Sequence, residues 1–369
     1  MDIDNLNPEC GREDRRSLSA GLSFHHELYD LGDTVLKTRA IRALENVAAR
    51  YPICRSVRCA TRRKVEDVFD DLALHMGMTA LRMDEGTLLL DGPGVFVQAE
   101  GRRKAEYCSC SFGIWAESKA RADEVRDTLF RLVGERYSPS QMFTIDWHFM
   151  NSRSGLSSAS FDELAVEPIY DEAYPTLREP VQNFIRRYLD ASETVLILLG
   201  PPGTGKTRLV RAILGEMSKR RHKSANVMYT GDKRALENDE IFVDFITGSH
   251  DAFVIEDADH LLLARNNGNH DLHRFLAIAD GVVRAQGRKI IFTTNLPNVS
   301  DIDEALLRPG RCFATVRTRG LSGPETSALL TRLARDEVHR EAVLAKVMPA
   351  GTPSVSIATV YRASATLEA

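Results

Sequence analysis

Gly200-Pro201-Pro202-Gly203-Thr204-Gly205-Lys206-Thr207 has the residue types and spacing of a phosphate-binding loop, G-x-x-x-x-G-K-[ST]. Glycines let the backbone curl so that several N–H groups point at phosphate oxygens. A helix starting there adds its N-terminal partial positive charge, about half a unit. Lys206 is suited to neutralise the β- and γ-phosphates, and Thr207 to offer a hydroxyl to Mg²⁺. Arg208 follows directly and joins the nucleotide-binding candidates. The flanks supply the frame such a loop needs. Val195-Leu196-Ile197-Leu198-Leu199 is an apolar run of strand length, and Leu209, Val210, Ile213, Leu214 and Met217 form a helical apolar stripe. A glycine turn that binds no phosphate is the competing reading; the strand–loop–helix frame counts against it.

Hydrolysis also needs a metal anchor and a group that orients or deprotonates water. Phe253-Val254-Ile255-Glu256-Asp257-Ala258-Asp259 is an apolar strand ending in carboxylates, the Walker B pattern. Glu256 and Asp257 are the expected pair, one serving Mg²⁺ and the other the attacking water. Lys289-Ile290-Ile291-Phe292-Thr293-Thr294-Asn295 is a further strand, ending in an amide able to hold the water or the γ-phosphate. Arg308 and Arg311 flank a Pro-Gly turn and can project from one edge, and guanidinium is the group that bridges phosphate oxygens in a planar fork.

The elements that must hold these groups follow from hydrophobic period. Residues 1–21 are polar and charged and read as a flexible tail. Residues 22–150 read as an α+β domain. It has helices around Ala40–Ala48 and Val65–Leu72, a hairpin through Asp91-Gly92-Pro93-Gly94, a strand near Tyr107–Trp115 and a helix near Ser118–Arg136. Its last strand alternates Phe143, Ile145, Trp147 and Phe149 with Thr144, Asp146 and His148, and the polar side is expected to be solvated or interfacial. The Ser- and Gly-rich stretch 151–165 is the expected linker. Residues 166–319 read as an α/β nucleotide-binding domain, opened by a helix after Pro180. Residues 320–369 read as a helical lid.

Composition bounds the alternatives. The 369 residues are 43% hydrophobic and 27% charged with a net charge of −4, an ordinary globular balance without the excess basicity that draws a chain to nucleic acid. The acidic N-terminus lacks the apolar segment of a signal peptide, and no apolar run reaches membrane-spanning length. A cytoplasmic protein with no membrane partner is expected. Cys10, Cys54, Cys59, Cys108, Cys110 and Cys312 include no Cys-x-x-Cys pair and read as reduced thiols, Cys108 and Cys110 as small core residues.

The ordered set of phosphate loop, Val254-Ile255-Glu256-Asp257-Ala258-Asp259, Thr293-Thr294-Asn295 and Leu306-Leu307-Arg308-Pro309-Gly310-Arg311 resembles the AAA family of ring-forming ATPases, from about Tyr170 onward. The resemblance implies an ATP hydrolase using Mg²⁺, a P-loop core on a parallel five-stranded sheet with a helical lid, and a homo-oligomeric ring, usually hexameric. It implies nucleotide between subunits, Lys206 and Thr207 as Walker A residues, Asn295 as sensor 1, and Arg308 and Arg311 as arginine fingers. The core is most similar to AAA chaperones that assemble mitochondrial respiratory complex III, which share the Glu-Asp order, and to small bacterial and phage ATPases of this kind. Two features depart: no N-terminal transmembrane helix is seen, and residues 22–150 show no recognisable relation.

The client is expected to be a protein bound by residues 22–150. Asp232-Lys233-Arg234-Ala235-Leu236-Glu237-Asn238 lacks the aromatic of a chain-threading loop, so remodelling of a folded partner fits better than processive unfolding. Two rivals stand: an ATP-gated scaffold of low turnover, mildly favoured by Glu256-Asp257 in place of Asp-Glu, and a DNA-processing loader. The loader would use the basic clusters Arg62-Arg63-Lys64 and Arg102-Arg103-Lys104, which lack the interleaved aromatics of a single-strand binder.

Overall fold

Period-two alternation and helical stripes each need a partner surface, and the chain supplies two separate ones. The computed structural model describes residues 53–82, 87–104, 107–152, 155–165, 168–263, 272–279 and 287–366. The tail of 1–21, Cys10 and the helix expected at Ala40–Ala48 lie outside the described residues. The chain divides into Met1–Tyr137 and Ser138–Ala369.

The first unit runs β1 (Ile53–Thr61), α1 (Val65–Met76), β2 (Thr79–Arg82), β3 (Thr87–Gly92), β4 (Val95–Arg103), β5 (Cys108–Ala116), α2 (Lys119–Val133) and β6 (Arg136–Tyr137). Its antiparallel sheet has the order β2-β3-β4-β5-β1-β6. The apolar stripes of α1 (Val65, Val68, Phe69, Leu72) and α2 (Ala122, Val125, Leu129, Val133) bury with Val57, Val97, Cys110, Phe112 and Ile114 of the strands. Cys108 and Cys110 are buried as expected, and no disulfide joins the described cysteines. Periodicity does not announce β1, because Arg55, Ser56 and Arg58 interrupt its apolar residues. It is a strand because it completes the sheet, pairing β5 along its whole length and β6 at its end.

The second unit runs β7 (Met142–Asn151), β8 (Gly155–Leu164), α3 (Val181–Asp190), β9 (Val195–Leu199), α4 (Lys206–Arg221), β10 (Ala225–Thr230), α5 (Lys233–Glu237), α6 (Asp239–Thr247), β11 (Ala252–Ile255), α7 (Asp259–Leu262), α8 (Leu272–Ala279), β12 (Lys289–Thr294), α9 (Glu304–Leu307), β13 (Cys312–Arg317), α10 (Gly323–Leu333), α11 (Glu337–Val347) and α12 (Ile357–Thr366). Its sheet has the order β13-β9-β12-β11-β10-β7-β8, parallel except for the β7–β8 pair. Strands β9, β11 and β12 are buried at every position, which is why they read as continuous apolar runs.

Three expectations need correction. The five parallel strands are present, but the sheet has seven. The boundary lies at Tyr137/Ser138 and not at 150/151. The stretch 151–165 is not a linker: β8 pairs with β7 over ten residues, and β7 pairs in parallel with β10. Serines conceal β8 because it is an edge strand, half or fully exposed along its length, so composition gives no apolar signal.

The polar side of β7 is not solvated either. His148 is buried, with Nε2 3.2 Å from Asp244 Oδ2, and Asp146 Oδ2 lies 3.0 Å from His250 Nε2. Thr144 donates to Asp162 at 2.7 Å. Each polar group finds a partner on another element, as buried polar groups must. The bond to His250 is the main reason Asp146 is held below the usual carboxylate range.

Among the described residues the lid is three helices, α10, α11 and α12. A capping box joins Ser322 and Glu325 at the start of α10, and Leu329, Leu330, Val343, Val347, Val360 and Ala363 bury together.

Candidate functional site

Strand order brings the chemistry together. β9, β11 and β12 are parallel, so all three release the chain at one edge of the sheet. Spatially β12 lies between β9 and β11. Asn295 therefore emerges between the phosphate loop and the acidic pair, although it follows both in sequence. This is the place in an open parallel sheet where ligand sites form.

The loop itself is shaped by close approach. Gly200 has φ +150°, and a Cβ there would collide with the carbonyl oxygen of Thr318. Thr204 Oγ1 lies 2.7 Å from both Pro201 O and Thr318 Oγ1, and the Thr318 hydroxyl reaches Leu199 O at 3.2 Å. Gly200, Pro201 and Thr204 thus form the underside of the loop. Pro202, Gly203, Gly205, Lys206, Thr207 and Arg208 line a cleft of about 400 Å³, with Glu256, Asp257, Thr293 and Asn295 opposite and Ile357, Ala358 and Tyr361 of α12 closing one side. Ala358 N donates to Gly203 O at 3.0 Å, which ties the lid to the loop. Arg208 stacks over the Tyr361 ring at 3.9 Å.

Lys206 is the centre of the cleft. Its Nζ donates to Gly200 O at 2.5 Å, Pro201 O at 3.1 Å and Asn295 Oδ1 at 2.8 Å. Burial pushes its ammonium down, opposed by Asp257, Asp259 and Glu256. A half-desolvated cation whose hydrogen-bonding oxygens are all neutral is suited to a polyanion such as the phosphates of ATP.

The two acids face different partners. Glu256 is half-buried: its Oε1 accepts from the Thr207 hydroxyl at 2.9 Å and its Oε2 from Tyr229 at 2.7 Å. Asp257 is exposed, has φ +50°, and accepts from Asn295 Nδ2 at 2.9 Å. A non-glycine residue in the left-handed region is uncommon, and such conformations concentrate at functional sites. Thr293 Oγ1 accepts from Asp257 N at 3.2 Å. The Thr207 and Glu256 oxygens are a hard donor set at the cleft, which fits Mg²⁺; that ion takes few protein ligands and fills its shell with water and phosphate oxygen.

Sequence reasoning missed several supports. Asp259 accepts from the Thr294 hydroxyl and, at 2.8 Å, from Asn295 N, so it orients the amide residue. Its signal was the third acid after the strand. Thr318, Tyr229 and the α12 residues carry no local signal, because their partners are remote in sequence. Tyr174 has a buried ring and donates to Gly205 O at 2.9 Å, so it packs beneath the loop.

Arg308 and Arg311 do not line this cleft. Arg308 is exposed at the end of α9, while Arg311 donates to Ala305 O at 2.7 Å. Beyond the 232–238 segment, Phe242 is buried in α6 against Phe253 and Phe275. In the first unit, Arg63 pairs with Asp71 at 2.6 Å and Arg62 approaches Glu135 at 3.9 Å, so the first basic cluster is partly neutralised.

Residues 196–319 match the family described as ATPase family associated with various cellular activities (AAA). The ATP-dependent zinc metalloprotease FtsH of Acidimicrobium ferrooxidans is 32% identical over 173 residues, 44% of this chain and 26% of that protein. The peroxisomal ATPase PEX6 of Mus musculus is 26% identical over 274 residues, 70% of this chain and 26% of that protein. That of Rattus norvegicus is 26% identical over 221 residues, 56% of this chain and 20% of that protein. The chain thus spans about a quarter or less of the length of these relatives. Among the described residues no helix is long and apolar enough to cross a membrane.

Proposed function

We propose that this chain, whose residues 196–319 match the AAA family, binds ATP in the cleft between the 200–207 loop and Asp257 and hydrolyses it. The observation that carries this reading is the convergence of Lys206, Glu256, Asp257 and Asn295 on one cleft, with Lys206 bridging to Asn295 at 2.8 Å. Lys206 holds the β- and γ-phosphates. Thr207 and Glu256 would hold Mg²⁺, which when bound would neutralise charge on the phosphate oxygens. Asp257 accepts the proton of the attacking water, and the Asn295 amide keeps the Asp257 carboxylate and that water in place. Asp259 holds the Asn295 backbone.

Arg308 is exposed and outside its own cleft, so its role lies on a neighbour. We read the working form as a homo-oligomeric ring, hexameric by analogy with the family, in which Arg308 reaches the γ-phosphate of the next subunit and Arg311 braces the turn. Residues of the first unit engage a protein client, which the ring remodels or assembles in the cytoplasm.

ATPase rate against protein concentration, with Lys206→Ala as the blank, tests this. The rate per subunit is expected to climb steeply with concentration, because a neighbour completes the site. A rate above blank that does not change with concentration removes the shared site.

One observation favours a slower variant of the reading. Asp257 is a methylene shorter than the Glu usual at the water-orienting position and is bonded to Asn295 at 2.9 Å. Turnover is then low without a client. Robust basal turnover in the purified protein speaks against an ATP-gated scaffold.

A further inference from the structure

Each oxygen of the Glu256 carboxylate accepts one hydroxyl. The Thr207 contact at 2.9 Å belongs to the phosphate loop; the Tyr229 contact at 2.7 Å comes from β10, a strand with no other part in the cleft. We propose that Tyr229 is a positioning residue, which locks the carboxylate of Glu256 in the orientation that holds the divalent cation. The inference rests on the nucleotide-site reading above and adds a residue to it.

The geometry makes Tyr229 a fixed post. Its backbone sits in register with Val254 of β11 and Trp147 of β7, and Glu256 N donates to Thr230 O at 3.0 Å. Its ring forms a wall of an apolar cavity of about 340 Å³, shared with Ile145, Trp147, Val210, Leu214 and Val227. Strand pairing on both sides fixes the Tyr229 backbone, and its side chain packs against the apolar core, so few ring orientations are open to it. Glu256 lies just beyond the last residue of β11, half-exposed, with three side-chain torsions. Without a second anchor its carboxylate samples several rotamers, and a site competent for only a fraction of the time binds more weakly by that fraction.

The alternative is that the hydroxyl merely finds an acceptor at the rim of a packed face. Tyr229→Phe separates the two, since it keeps the ring and removes only the donor. The probe is a fluorescent N-methylanthraniloyl ATP analogue, titrated with Mg²⁺ and, separately, in EDTA. Tyr229→Phe is expected to raise the Mg²⁺ concentration for half-maximal enhancement of binding about fivefold to tenfold, the scale of one net intramolecular hydrogen bond. Affinity in EDTA stays within about twofold, as expected for a change that touches only the cation's ligand. In a Glu256→Gln background the same change adds less than about twofold, because the partner it positions is already altered.

An unchanged Mg²⁺ dependence, or an equal loss in EDTA, overturns the positioning role. Lys206→Ala serves as the separate control. Loss of analogue binding there with a wild-type Mg²⁺ profile in Tyr229→Phe removes only this inference. Analogue binding by Lys206→Ala equal to wild type overturns the nucleotide site itself, and the inference with it.

Discussion

The two sheets of this chain differ in strand direction, and that difference decides where chemistry collects. In the second unit β9, β12 and β11 run parallel, so the loop after β9, Asn295 and Glu256-Asp257 leave the sheet at one edge. Their polar groups meet each other. In the first unit neighbouring strands alternate in direction, and each edge mixes strand starts with strand ends. Its charged residues pair locally instead, Arg63 with Asp71 and Arg126 with Asp123. Both sheets have well-buried cores, so packing alone does not mark where polar groups converge.

The largest effect expected breaks or confirms the idea that the cleft is completed from outside. Arg308→Ala is expected to lower turnover about 10³-fold or more, with ATP affinity nearly unchanged. Steady-state kinetics beside nucleotide binding checks it, and an unaltered rate refutes the shared site.

Next comes the packing of the first unit. Phe69 is fully buried between α1 and the sheet, stacked 6.2 Å from Phe112. Phe69→Ala is expected to cost about 3–5 kcal/mol of that unit's stability. If the comparison holds, nucleotide affinity stays within about twofold, read by calorimetry and binding on the same sample. A matching loss of affinity shows that the cleft depends on the first unit.

Asp257→Asn keeps the contact with Asn295 while removing the proposed base. A fall in kcat of about 10²-fold with unchanged ATP affinity is expected, and about 1.4 kcal/mol corresponds to each tenfold step. If Glu256→Gln instead lowers kcat without weakening Mg²⁺ dependence, the two acids exchange roles.

The smallest effect belongs to the surface pairs of the first unit. Arg55 lies 3.8 Å from Asp123, with both side chains partly exposed. Arg55→Ala is expected to change stability by less than about 0.5 kcal/mol, with a weak salt dependence. A denaturant titration showing more than about 1 kcal/mol would give that pair a role beyond a solvated face.

Local sequence carried much of this protein. The loop from Gly200 to Thr207 was legible because its chemistry is held in consecutive residues. Strands β9, β11 and β12 were legible because burial on both faces leaves uninterrupted apolar runs. Helix α1 was legible from Val65, Val68, Phe69 and Leu72, which fall on one face at helical spacing. Strands β1 and β8 were not, because arginines in one and serines in the other suit partly exposed positions and leave no periodic signal. The inner side of β7 was misjudged because hydropathy cannot see Asp244 and His250, which hydrogen-bond His148 and Asp146 from remote parts of the chain.

The sequence by itself determined which residues could do chemistry, since residue type and spacing set what a loop or a strand end can bind. Tertiary structure alone decided which of them meet. The insertion of β12 between β9 and β11 places Asn295 against Lys206 and Asp257, 89 and 38 residues away. The same topology sets Tyr229 against Glu256 and turns Arg308 away from its own cleft. Hydrogen bonds act over about 3 Å, and the fold, not the chain order, puts groups at that distance.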